Sequence, residues 1–123
     1  MNNKKILSEF WEVYSIKYAE RSNRTRKESF IFDDHSDENH VIDYYIWVLK
    51  SGDKIIVVDT GYDYEEAKRR QRPILRSPAK ALESININAS DVTDVIITHL
   101  HYDHAGGLND FPNALFHLQE SEM

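Results

Sequence analysis

Cysteine is absent from the 123-residue chain, so neither a disulfide nor a thiolate metal site can form. Any metal must be held by histidine and carboxylate, and the cytoplasm is the default expected location. An excess of positive charge is also missing. The formal net charge is -6, which offers no general attraction to a phosphate backbone and argues against a nucleic-acid partner. Long apolar runs are lacking. The longest, Tyr44 to Leu49, is far too short to span a bilayer. The stretch from Met1 to Phe10 is too poor in apolar residues to form a signal-peptide core. A soluble protein with no membrane partner and no visible export signal is therefore expected. Internal repeats and low-complexity segments are absent too. What is present is ordinary: 41% hydrophobic and 29% charged residues, as in globular proteins. The length fits one domain with a modest core.

Residues 10–18 are rich in aromatic and beta-branched types and predict a strand. Trp11, Val13, Ile16 and Tyr18 are its candidates for burial, and the slip in their spacing predicts a bulge near Tyr14 and Ser15. Residues 19–41 read as a long irregular connection with a basic start and an acidic end, a solvated surface first and a rim over a site second. Ile42–Lys50 and Lys54–Asp59 then predict a hairpin around Ser51, Gly52 and Asp53. The run Ile55–Val58 is apolar at every position and predicts cover on both faces. Asp59, Thr60 and Gly61 close that strand, and a carboxylate there needs partners. On the bare sequence Asp59 serves equally well as a turn or helix cap. Two helices follow: 63–72, with Asp63 as N-cap, and 78–86, with Ser77 as N-cap and Pro78 in the first turn. Residues 92–98 and 114–118 predict two further strands.

Between those last strands lies the densest chemistry in the chain. His99, His101, Asp103 and His104 fall within six residues, in the order H-x-H-x-D-H, and hold three of the chain's six histidines. In a shuffled chain of this composition the pattern arises on the order of once in a thousand. Residues two apart on a strand share a face, so His99 and His101 can present both imidazoles to one ion. Asp103 and His104 lie past a change of direction and can reach a second position. Imidazole and carboxylate suit zinc, and also iron, cobalt or manganese. Two such ions side by side form a recurrent hydrolytic centre. The isolated His35, His40 and His117 read as ordinary surface or core histidines.

This motif, entered from the Val95–Thr98 strand and preceded by Asp59, Thr60 and Gly61, resembles the metallo-β-lactamase superfamily. The run from Asp94 through Leu108, with Phe111–Ala114 and Phe116–Gln119 and then Glu122 and Met123, is similar to the N-acyl homoserine lactonase-like branch. The likeness runs from about Asp43 to the last residue. It implies an α/β fold, half of an αβ/βα sandwich, with a mixed sheet and flanking helices. Residues 1–123 would be the N-terminal part of a single metallo-β-lactamase-like domain whose second half is absent. Two divalent metal ions, zinc first, are the implied cofactors. His99 and His101 would serve the first ion, and Asp103 and His104 the second. Asp103 would also act catalytically, orienting the attacking water and passing a proton to the leaving group. Asp59 would brace the histidine loop from behind. In the family, the second half supplies another histidine for the first metal, a bridging aspartate and a further histidine for the second. The lactonase branch adds a tyrosine from that half, which is not Tyr102.

The function implied is metal-dependent hydrolysis, foremost lactone ring opening and hence quorum quenching, with a small lactone or other ester-like substrate. One alternative is hydrolysis of another ester, a thioester, a β-lactam or a phosphodiester on the same fold. Another is a catalytically incomplete fragment that binds metal or self-associates, as a homodimer for example.

Overall fold

A computed structural model describes residues 10–123, and the stretch 1–9 lies outside the described residues. Five strands form one mixed sheet in sequence order: β1 (Glu12–Arg21), β2 (Ile42–Ser51), β3 (Lys54–Val58), β4 (Asp94–Ile97) and β5 (Leu115–Leu118). β1, β2 and β3 are antiparallel neighbours, whereas β3, β4 and β5 run parallel. The switch follows from the connections. A tight turn at Gly52, whose φ is +56°, returns β2 antiparallel into β3. A parallel neighbour needs a long crossover, and residues 59–93 provide it with a helix at Tyr64–Arg70 and another at Pro78–Ala81. Asp63 caps the first helix by accepting the Glu66 N–H at 2.9 Å, and Ser77 caps the second by accepting that of Lys80 at 3.2 Å. Both caps are as expected from sequence.

The core lies on one face of the sheet. Ile16, Ile46, Val48, Ile55, Val57, Val95 and Ile97 point into it and meet Ala67, Ala81, Leu82, Ile87, Val92 and Phe111 from the crossover and the later loops. The opposite face is poorly covered: Tyr45 and Trp47 are exposed, and Ile56, Val58 and Ile96 are only part-buried. The expectation that Ile55–Val58 is covered on both sides is therefore corrected. Alternation assigns Ile55 and Val57 to the packed face, and among the described residues no helix lies over the other.

β1 corrects two further expectations. Trp11 and Val13 are exposed, at 45% and 61%, while Ile16, Tyr18 and Ala19 are buried. The register breaks between Lys17 and Ala19, not near Tyr14 and Ser15. A bulge at Tyr18 lets two successive side chains, Tyr18 and Ala19, enter the core. The connection 22–41 folds largely upon itself. Thr25 bridges Asn39, Arg26 pairs with Asp33 at 2.5 Å, and the Arg26 N–H donates to the Glu38 carbonyl at 2.9 Å.

Candidate metal centre

β3 and β4 are parallel and adjacent, with Val58 opposite Ile96, so their C-terminal ends deliver Asp59 and Thr98 to the same edge of the sheet. Such edges are where side chains of parallel strands converge on ligands. The Asp59 N–H donates to the Ile96 carbonyl at 2.8 Å, and the residue then turns into the left-handed region with φ +60°. Aspartate tolerates that conformation better than most residues. The turn aims its carboxylate at the motif.

Asp59 is 7% exposed and accepts three hydrogen bonds. Its Oδ1 takes the Thr98 N–H at 2.8 Å. Its Oδ2 takes the Thr98 hydroxyl at 2.8 Å and lies 2.7 Å from His104 Nδ1. With its hydroxyl proton given to Asp59, Thr98 Oγ1 is left as the acceptor for His99 Nδ1, at 2.9 Å. This chain of bonds gives Nδ1 of both His99 and His104 the donor role, and in a neutral ring that leaves Nε2 as the acceptor. A carboxylate that orients a histidine in this way is the usual outer partner of a ligating imidazole.

The three imidazoles gather. The ring of His99 lies 4.0 Å from that of His104 and 4.6 Å from that of His101, centroid to centroid. Asp103 Oδ2 lies 3.6 Å from His104 Nε2. The structure thus brings together all five residues singled out in the sequence: Asp59, His99, His101, Asp103 and His104. Among the described residues, no three His, Asp or Glu side chains surround a common point as a finished metal cage. Imidazole nitrogens and a carboxylate are nevertheless donors of the kind that suit divalent ions.

The loop carrying these groups is pinned to the crossover by backbone contacts. The Thr60 N–H donates to the His104 carbonyl at 2.9 Å, the Gly106 N–H donates to the Gly61 carbonyl at 2.9 Å, and the Thr60 hydroxyl donates to the Gly106 carbonyl. The fit requires glycine at 106, because a Cβ there would lie 2.8 Å from both the Gly61 oxygen and the Tyr62 Cα.

Sequence reasoning passed over several participants. The Tyr18 hydroxyl donates to the Asp103 carbonyl at 3.5 Å, and a Cβ on Gly61 would sit 2.7 Å from the Tyr18 ring. Glu122 accepts the Leu100 N–H at 3.0 Å. Tyr18, Tyr44, Tyr62 and Tyr102 form a run of tilted and edge-on rings behind the loop, with Arg70 and Arg72 over Tyr102. Burial drives the Tyr18 hydroxyl far above its ordinary range and that of Tyr62 up to about 12, so both stay protonated. No local signal marks these contacts, because the partners are distant in sequence. His35 pairs with Glu38 at the surface, and His117 with Asp94 on the outer sheet face.

The model of the metallo-beta-lactamase superfamily matches residues 42–120. A probable metallo-hydrolase of Mycobacterium tuberculosis is 27% identical over 90 residues, covering 63% of this chain and 29% of that protein. Another from Bacillus subtilis is 32% identical over 73 residues, covering 59% of this chain and 20% of that protein. Among solved structures, a quorum-quenching N-acyl homoserine lactone lactonase superposes with a TM-score of 0.65 at 20% identity, over 89% of this chain and 46% of its own. A dizinc quorum-quenching lactonase gives 0.63 at 23% identity, over 91% and 42%. A probable metal-dependent hydrolase from Staphylococcus aureus gives 0.62 at 17%, over 91% and 48%. The chain thus spans less than a third of these curated relatives and about half of these structures. The chain belongs to the metallo-β-lactamase superfamily, and its mixed sheet with few helices corresponds to part of the αβ/βα sandwich expected from sequence.

Proposed function

We propose that this superfamily member is the N-terminal part of one metal-dependent hydrolase domain, and that the reaction is the ring opening of a lactone. Acyl-homoserine lactones come first as substrates, and with them quorum quenching. The observation that carries the reading is the Asp59 brace, which holds Thr98 and His104 and through Thr98 orients His99.

His99 and His101 would hold one ion and Asp103 and His104 the other. Bound there, two divalent ions, zinc before iron, cobalt or manganese, supply Lewis-acid polarisation of a carbonyl and a more acidic water. The residues of the chain do the rest. Asp59 keeps its histidine partners from turning. The Asp103 carboxylate accepts a proton from the attacking water as the new bond to the acyl carbon forms. It returns that proton to the ring oxygen as the acyl C–O bond breaks. The Tyr18 hydroxyl holds the Asp103 backbone, and so the position of that carboxylate. The same machinery would serve another ester, a thioester, a β-lactam or a phosphodiester.

A second reading has its own support. The outer sheet face bares Trp47 at 48% and Leu115 at 64%, an apolar surface that favours association. The 123 residues alone would then bind metal incompletely and self-associate, as a homodimer for example. Two experiments separate the readings. Tight binding of two metal ions with rapid turnover by the 123 residues alone refutes the second reading. Full-length protein is assayed on a panel of lactones and other esters, before and after chelation and after zinc is restored. Loss on chelation with recovery on zinc supports the hydrolase; lactone turnover that survives metal removal refutes the metal mechanism.

A further inference from the structure

Tyr102, between His101 and Asp103, carries two cations. The guanidinium of Arg70 lies 3.7 Å from its ring centre and that of Arg72 lies 5.3 Å away. Arg72 also donates from Nη1 to the Tyr102 hydroxyl. Two positive groups on one ring repel each other, and their compensation is unequal. Arg70 donates to Glu66 at 2.7 Å, whereas Arg72 has no carboxylate partner among the described residues. Its Nε is buried and has no hydrogen-bond partner there. A guanidinium held by a neutral phenol alone retains its full charge and its capacity for a planar pair of bonds to an oxyanion.

The position of Arg72 is built rather than incidental. Gln71 ends the preceding helix in the left-handed conformation, φ +54°, and the Arg72 N–H turns back to the Ala67 carbonyl at 2.9 Å. Arg72 also lines an open cleft of about 530 Å³ with Lys68 and the apolar surfaces of Tyr64, Ala67, Pro73 and Ile74. Cationic groups at an apolar cleft describe a site for an amphipathic anion.

We infer that Arg72, seated on Tyr102 and assisted by Lys68, binds the oxyanion of an amphipathic ligand. The inference goes beyond the hydrolase reading and does not depend on it. The ligand it would take has an apolar body and a permanent negative group, carboxylate or phosphate, and a neutral lactone substrate does not compete for it.

The test is a titration read without turnover. Full-length protein labelled with 15N is titrated with hexanoate, with its neutral counterpart hexanamide and with hexyl phosphate, following the arginine Nε–H signals. Hexanoate or hexyl phosphate is expected to shift the Arg72 signal saturably and to bind at least about tenfold more tightly than hexanamide. Arg72→Gln is expected to abolish the preference and Arg72→Lys to weaken it. Lys54→Gln, at the far end of β3, is expected to keep it. Equal binding of charged and neutral probes by the unaltered protein overturns the inference without recourse to any variant. So does an Arg72→Gln protein that still prefers the anion. Protein that binds hexanoate in this way yet hydrolyses no lactone or ester after metal loading fails the hydrolase reading only. A lactone hydrolase indifferent to both anions fails this inference only.

Discussion

Two aspartate–histidine pairs share the sheet and nearly share a distance. His104 Nδ1 lies 2.7 Å from Asp59, and His117 Nε2 lies 2.8 Å from Asp94. The first sits beyond the C-terminal ends of β3 and β4, where Asp59 is buried and also receives the backbone and hydroxyl of Thr98. The second links the start of β4 to β5 on the poorly covered face, with the His117 side chain 47% exposed. The pairs contain the same chemical groups, so the contact alone does not make a site. The difference is the frame around it. At Asp59 a strand end, a left-handed turn and a glycine-tight loop fix the carboxylate from several directions. At Asp94 an edge strand and solvent leave the imidazole free to move.

The most severe way to break this contrast is Asp59→Ala. Three donors lose a buried acceptor at once, and the expected cost is about 3 kcal/mol by urea denaturation. Asp59→Asn keeps the shape and loses the charge. It should cost less stability but lower metal affinity by about 10- to 100-fold, as read by competition with a chromophoric chelator. Wild-type metal affinity in Asp59→Asn would show that the brace is structural only.

The frame itself can be broken at Gly106. A Cβ at 106 meets backbone atoms at 2.8 Å, and backbone cannot swing aside. Gly106→Ala should therefore cost about 1–3 kcal/mol of stability and disturb the loop that carries His104. Gly52 makes the control. Its φ is also unusual, +56°, but a Cβ there meets nothing within 4 Å, so Gly52→Ala should cost only about 1 kcal/mol and leave metal binding intact. Equal losses in the two variants would deny that close packing of the loop matters.

The sequence shows one side of this contrast far better than the other. The β2–β3 hairpin, both helix caps and the H-x-H-x-D-H run are local patterns, so turn residues, period and spacing reveal them. Asp59 could be noticed as a carboxylate closing an apolar strand, but the bare residues left a cap equally open; the family resemblance implied a brace, and the register of β3 on β4 sets it behind His104. Tyr18, Arg72 and Glu122 were illegible for a related reason. Each reaches the motif loop across at least 20 residues of chain, and no periodicity encodes such a meeting. Trp11 and Val13 misled because aromatic and beta-branched residues mark a strand without saying which of its faces is covered. The bulge inferred from them moved to Tyr18 once they proved to face solvent.

The smallest expected effect belongs to the exposed pair and tests the contrast from its other side. The hydrogen bond from His117, with further help from Thr93 and the nearby Lys54, holds the Asp94 carboxyl below its ordinary range. A group whose pKa is lowered by folding stabilises the fold above its unfolded value and ceases to do so as the pH falls through the folded value. Asp94 therefore contributes from neutral pH down to about pH 4, and that contribution fades below it. Asp94→Asn should lower the melting temperature slightly at pH 7, with the gap closing as the pH falls toward about 3. His117→Ala should leave metal affinity unchanged. Melting curves across that range, beside the same series on Asp59→Asn, place the two pairs on one scale. If removing the Asp94 pair costs as much as removing the Asp59 brace, the frame around Asp59 adds nothing, and the contact alone would suffice.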